Sequence, residues 1–368
     1  MRKISALLIL NILLLSLFAI KASAIGDIKE DISEKLFQNM DSEITEILED
    51  FGLDTLDYEN IYNVSLKSVV LYYKDSMKDY LSGCVSVLSE IAALMILGSV
   101  ISAITEEDKY KYIISILLMP AVTVILTEEI YLCITSAVSL LNLNGKFMLA
   151  FVPAYAIAIS VSGNPSVALT YNSAVMGFAE LISFVIDKGF IELIGCFFCL
   201  CFGFSVNKNI NFTRFVGSVN RAVTLVLGIT STVFTSLLSV KGLFSSSADS
   251  VISKGVKYAI GSLIPVIGSS ISDAYATLLG SVSIIRSSVA LIGISAVILI
   301  NFPVVIEIVM FNITLNILGF IGDILDCNKV SELVRGFAVG VKIIGLLVVF
   351  EAFILIISTA VVLSVRGA

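Results

Sequence analysis

Residues 81–104, LSGCVSVLSEIAALMILGSVISAI, carry a single charge, Glu90. A helix that crosses the hydrocarbon of a bilayer needs about 20 mostly apolar residues, and this stretch supplies them. The rest of the chain agrees. Of 368 residues, 57% are hydrophobic and 14% charged, and the mean hydropathy is +1.01. A soluble domain is about 45–50% apolar and about 25% charged. Surface-to-volume scaling leaves a soluble chain no room to hide so much apolar surface, so this is a membrane protein.

Working toward the C-terminus, the charged loop Thr105–Lys111 ends the first span. Tyr112–Leu143 is apolar but interrupted by Glu128-Glu129, which reads as one long tilted helix or a helical pair. Phe147–Ser162 and Ser166–Ile186 flank Gly163-Asn164-Pro165, a turn signal. Gly189–Ser205 follows Asp187-Lys188, and Ala222–Val240 is a further span. Tyr258–Ile306, with Arg286 inside it, is long enough for two. Ile308–Gly322 is short, and Gly336–Val365 closes the chain. The expectation is an all-α, polytopic transmembrane domain over residues 81–368 with about seven to nine transmembrane helices.

Working toward the N-terminus, Arg2 and Lys3 precede an apolar run from Ile4 to Ile20 and then Ala22-Ser23-Ala24. That is the layout of a signal peptide over residues 1–24, cleaved after Ala24; an uncleaved first helix is the alternative. Either way residues 25–80 are expected to be extracytoplasmic. They hold 14 acidic and 5 basic side chains, so the acidity of the chain is concentrated there. Ile28, Ile32, Leu36, Met40 and Ile44 recur every fourth residue, and Ile47, Leu48 and Phe51 continue the stripe, which predicts helix. Gly52 ends it as a C-cap. Two small helices packed on each other and on the membrane surface, or a docking surface for partner domains, fit this acidic helical segment. With no D-x-D-x-D-G loop, it is not a calcium site.

Orientation is less consistent. Lys208, Arg214 and Arg221 form the clearest basic cluster, which the positive-inside rule puts in the cytoplasm. Lys241, Lys254 and Lys257 would then fall outside. A re-entrant segment over 258–270 resolves the conflict, with Gly261, Pro265 and Gly268 as the helix break; broken backbone at membrane depth is tolerated where it is buried or lines a wet cavity.

The chain has no His and no Trp, which excludes a His base, a Ser-His-Asp or Cys-His arrangement and a His metal ligand. No basic stripe suits nucleic acid, and no catalytic, cofactor or metal residue is predicted. Ser269, Asp273, Ala276, Gly280, Ser283 and Ser287, followed by Ala290, alternate in spacing of four and three and so share one helix face. They form a close-packing seam or a wet lumen, with Asp273 favouring the lumen because a carboxylate in hydrocarbon needs water or a partner. Glu90, Glu180, Glu192, Glu307, Lys342 and Glu351 also lie in or beside apolar runs. Lys342 and Glu351 face opposite sides of one helix, so each needs another helix or water. Thr224, Ser231, Thr235 and Ser239 share a face, and Gly336-x-x-x-Gly340 is a packing motif. Of six Cys, none lies in 25–80, and buried thiols are the default for Cys196-x-x-Cys199-x-Cys201.

Val240-Lys241-Gly242, then Gly255-Val256-Lys257-Tyr258-Ala259-Ile260-Gly261-Ser262-Leu263-Ile264-Pro265-Val266-Ile267-Gly268 and Ser272-Asp273-Ala274, resemble the signature of the stage III sporulation protein AE family. Ile284-Ile285-Arg286-Ser287-Ser288-Val289-Ala290-Leu291-Ile292-Gly293 is similar to that family's next segment. The resemblance implies a multi-pass protein of the mother-cell membrane around the forespore. It further implies an integral, permease-like subunit of a channel or feeding-tube complex needed for endospore formation. Its implied partners are the other stage III sporulation membrane proteins of that complex, a separate ATPase and a forespore-side channel protein, within the lipid bilayer. No catalytic residues come with the resemblance. A stand-alone secondary transporter is the alternative, and an intramembrane enzyme has no paired motif to support it.

Overall fold

The computed structural model describes residues 28–55, 64–104, 108–185, 191–206, 212–263 and 268–364, with the side chains of 66, 108–112, 115, 183, 185, 191, 204–206, 240–246, 256–276 and 278 outside that description. The signal segment 1–24 lies outside it. So does Pro265, and of Gly261, Gly268, Ser269, Asp273 and Ala276 only the helical backbone is described.

The acidic segment folds as its apolar stripe dictates, with one break. Helix α1 covers 28–38 and α2 covers Ser42–Asp50. Between them Asp41 takes an extended backbone and accepts a hydrogen bond from the Glu43 amide at 3.2 Å, an N-cap. Ile32, Leu36, Ile44, Leu48 and Leu53 are fully buried, each burial stabilising by about 1.5–3 kcal/mol. Gly52, at φ +66°, closes α2: its amide bonds to Glu49 O and the Leu53 amide to Leu48 O, both at 2.8 Å. That pair of bonds satisfies the last carbonyls, and Gly is the residue that adopts such a φ freely.

Helix α3, Leu66–Tyr72, starts from a Ser65–Ser68 capping box. Tyr73 joins it to α4, Lys74–Ile104. Then come α5 (Asp108–Val161), α6 (Pro165–Val185), α7 (Ile191–Val206), α8 (Phe212–Leu263), α9 (Gly268–Ile324) and α10 (Asn328–Ser364), with no strand among the described residues. Five of these helices are long and apolar enough, by length and composition, to cross a membrane: α4, α5 from Ile116, α8 to Ser239, α9 from Leu279, and α10. The 21-residue α6 and the apolar stretch Glu192–Gly203 of α7 are shorter and are not among these five.

The sequence divides the apolar runs differently. It separates Tyr112–Leu143 from Phe147–Ser162, and Tyr258–Ile306 from Ile308–Gly322, whereas the backbone runs on as helix through both junctions. Polar residues at those points (Asn144 and Lys146; Glu307) are ones a helix tolerates when neighbours satisfy them. Each of the two continuous apolar stretches is 46 residues, roughly 69 Å of helix against about 30 Å of hydrocarbon.

The hairpin of α9 and α10 forms the centre, and its two helices share the most extensive pairing. Helices α5 and α6 pack on it together, α4 covers α9, and α7 and α8 lie along α10. The α9–α10 turn puts Asp326 at φ 56°, and the Cys327 amide bonds to Gly322 O at 2.9 Å. The expected turn at 163–165 is present as well: Gly163 sits at φ +89° and Pro165 begins α6. The first amides of α6 have a partner that the sequence did not suggest. Asp249 of α8, 2% exposed, accepts from Ser166 N and Val167 N at 3.1 and 3.2 Å, a carboxylate placed on the positive end of a helix.

Candidate functional site: a buried polar junction and an exposed polar face

Three helices meet at a polar junction inside the apolar core. Asn144 of α5 and Asn301 of α9 exchange hydrogen bonds, each Nδ2 donating to the other's Oδ1 at 3.1 Å. Asn144 Nδ2 also donates to Glu351 Oε2 of α10 at 3.2 Å, and Asn301 Nδ2 to Val297 O at 2.8 Å. Asn144, Asn301 and Glu351 are 1%, 4% and 1% exposed. Such bonds between membrane helices contribute about 0.6–1.7 kcal/mol each, and they fix the mutual register of all three helices. Glu351 Oε1 has no hydrogen-bond partner among the described residues.

Two residues beyond Asn301, Pro303 lies inside α9. A proline lacks the N–H that would bond to the carbonyl four residues back, here Leu299 O. The Tyr73 hydroxyl donates to that same carbonyl at 3.0 Å. The side chain that links α3 to α4 therefore satisfies the group the proline leaves open. A cleft of about 470 Å³ opens beside this contact, walled by Glu43, Tyr80, Ser136, Leu143, Ile300 and Glu307. Ser136 Oγ donates to Glu307 Oε1 at 3.3 Å. Leu143 and Ile300 in its wall are the chain neighbours of Asn144 and Asn301. On the lobe side, the Lys146 ammonium bonds to Asp41 Oδ2 at 2.8 Å and holds that carboxyl below its usual range.

The second feature is the outer face of α8. Within Phe212–Ser239, its membrane-length part, only 6% of the most apolar 18-residue stretch is buried, against 50% for the corresponding stretch of α9. Gly217, Arg221, Thr224, Gly228 and Thr232 lie within about 60° of one line on this helix, and all are exposed. Val226, Ile229, Val233 and Leu237, also exposed, occupy a separate sector. Thr224 and Thr232 hydroxyls bond back to the Asn220 and Gly228 carbonyls at 2.8 Å, which satisfies them without a neighbour. Arg221 faces a groove of about 680 Å³ that it shares with Lys342 of α10.

The other residues read from the sequence divide between faces. Along the α9 seam, Gly280 is exposed with open space beside it, Ser283 and Ser287 are half-buried, and Ala290 is fully buried. Ser287 Oγ bonds to Ser283 O of its own helix at 3.0 Å. Glu90, Glu180 and Glu192 are exposed, and Arg286 is buried. Of the face Thr224, Ser231, Thr235 and Ser239, only Thr224 is fully outward; the other three are half-buried. At Gly336 and Gly340 the missing side chains make room for Phe212 and Phe198. The expectation of buried thiols needs correcting, because Cys196 and Cys199 are exposed on α7 while Cys201 is buried; residues three apart on a helix cannot all turn inward with one five apart. Among the described residues no three His, Cys, Asp or Glu gather as a metal site. Asn144, Asn301 and Asp249 were missed. Asn in an apolar run was the available signal for the first two.

The family model described as stage III sporulation protein AE matches residues 56–366, most of the chain. The chain belongs to the stage III sporulation protein AE family. A stage III sporulation protein AE of Bacillus subtilis (strain 168) is 20% identical over 179 residues, which is 48% of this chain and 45% of that relative. The similarity thus spans less than half the length of that curated relative. No solved structure matches the chain. Membership makes this a sporulation protein, and its long apolar helices make it a multi-pass membrane one.

Proposed function

We propose that the chain is a non-enzymatic subunit of a channel complex joining mother cell and forespore, and that the outer face of α8 is its contribution to the passage. It sits in the mother-cell membrane with residues 25–80 in the space between the two membranes. Its partners there are other stage III sporulation membrane proteins, a forespore-side channel protein and a separate ATPase that supplies energy. Its role is permease-like, carrying cargo through a shared wall and not through a pore of its own.

The observation that carries this reading is the unburied polar face on a membrane-length helix. Glycine, hydroxyls and Arg221 are poor partners for acyl chains, and nothing else among the described residues covers them. A wall shared with neighbouring subunits gives them water on one side. The test uses single cysteines in a cysteine-free background in sporulating cells, probed with a membrane-impermeant thiol reagent. Cysteines at Gly217, Thr224, Gly228 and Thr232 should react, and those at Val226, Ile229, Val233 and Leu237 should not. Equal reaction of the two sets, or reaction of the apolar set alone, overturns the assignment.

A further inference from the structure

Glu351 is a carboxyl group in the centre of the apolar bundle with one oxygen held by Asn144 and the other without a partner. A buried polar atom left open calls for an occupant, either a proton with its acceptor, a water or an ion. No ion pair reaches Glu351 from the described residues. Of the titratable groups on the surrounding helices, Lys146 of α5 is engaged with Asp41, Glu307 of α9 with Ser136 and Tyr171 of α6 with Thr359, while the buried Tyr155 hydroxyl of α5 has no hydrogen-bond partner among the described residues. Arg286 lies roughly 22 Å along α9 from Asn301. Helices α7 and α8 present Phe198 and Phe212 to α10.

The setting favours a cation over an anion or a neutral solute. The two Asn carbonyls keep a second lone pair each, and the cleft walled by their chain neighbours Leu143 and Ile300 carries the carboxylates of Glu43 and Glu307 and no basic side chain. We propose that Glu351, with Asn144 and Asn301, is an exchange site for one monovalent cation, a proton or a sodium ion, reached through the acidic cleft. A divalent ion would need more carboxylate than the junction offers. This site is independent of the α8 passage: either assignment stands if the other fails.

The test is carbodiimide modification of the purified full-length chain in detergent, followed by mass spectrometry of the α10 peptide. A hydrophobic carbodiimide adds across a protonated buried carboxyl and rearranges to an N-acylurea, raising the peptide mass by that of the whole reagent. Glu351 should be modified, and Glu351→Gln should abolish the adduct. If the occupant is a proton, modification falls about tenfold per pH unit above the midpoint and ignores sodium. If it is sodium, adding sodium chloride at constant pH and ionic strength, against choline chloride, suppresses modification at least twofold. Glu307→Gln, at the mouth of the cleft, should slow modification of Glu351 while circular dichroism stays native. No adduct under any condition, or an adduct indifferent to both pH and sodium, overturns the proposal.

Discussion

Replacing Tyr73 by Phe removes one hydroxyl and leaves the Leu299 carbonyl, already deprived of its helical donor by Pro303, without a partner. Tyr73 is 8% exposed and its bond to Leu299 O is 3.0 Å. A buried acceptor left open costs about 1–3 kcal/mol, and hydrogen bonds in membrane bundles average about 0.6 with a ceiling near 1.7. The expected loss is therefore about 1–1.5 kcal/mol. Pro303→Ala gives position 303 an N–H that can bond to Leu299 O within the helix. In that background the Tyr73→Phe loss should shrink below about 0.5 kcal/mol, a coupling of about 1 kcal/mol, which exceeds the roughly 0.3–0.5 kcal/mol scatter of independent sites. The four proteins of the cycle are compared by unfolding in dodecyl sulfate mixed micelles, followed by circular dichroism, since the chain has no Trp. Equal losses in both backgrounds would refute the claim that the hydroxyl stands in for the missing amide.

Two further outcomes are expected. In α9, a Cβ on Gly293 would lie 2.1 Å from Phe151 Cζ, and that ring is stacked between Phe147 and Tyr155 at 5.2 and 5.5 Å. Gly293→Ala should cost about 1–3 kcal/mol, whereas Gly280→Ala, with open space, should be neutral or gain up to about 1 kcal/mol; the same micelle titration reads both. In the lobe, the Tyr72 hydroxyl donates to Asp50 Oδ2 at 2.8 Å, which pushes its pKa up to about 12. The folded pKa is raised, so this contact stabilises fully below pH 10 and is lost as pH climbs from 10 toward 12. The phenolate absorbance absent from Tyr72→Phe should appear near pH 12, and Asp50→Asn should bring it back toward 10.

Legibility in the sequence followed the range of the physics involved. The stripe from Ile28 to Phe51, the Gly52 cap and the Gly163-Asn164-Pro165 turn are local, and all are present. The break at Asp41 was also local: an Asp followed two residues on by Glu43 is an N-cap signal that the regular spacing of Ile28 to Ile44 concealed. Helix continuity through Asn144 and Glu307 was not legible, because a polar residue in an apolar run reads as a boundary unless its partner is known. Those partners are distant. Asn144 and Asn301 are 157 positions apart, Asn144 and Glu351 207, and Tyr73 and Leu299 226. The sequence reading did establish that Glu351 cannot pair with Lys342 and needs another helix or water; Asn144 of α5 is one such partner.

The three-residue link at 325–327 has a consequence for how the protein is made. Helices α9 and α10 leave the ribosome in succession, yet the hydrogen bonds among Asn144, Asn301 and Glu351 are shared between α5, α9 and α10. A chain interrupted after Ile324 would lack Glu351, the acceptor that α10 offers to Asn144. The hairpin therefore partitions into lipid best as a pair, with α5 already in place to receive it, and the order of synthesis delivers the helices in that sequence.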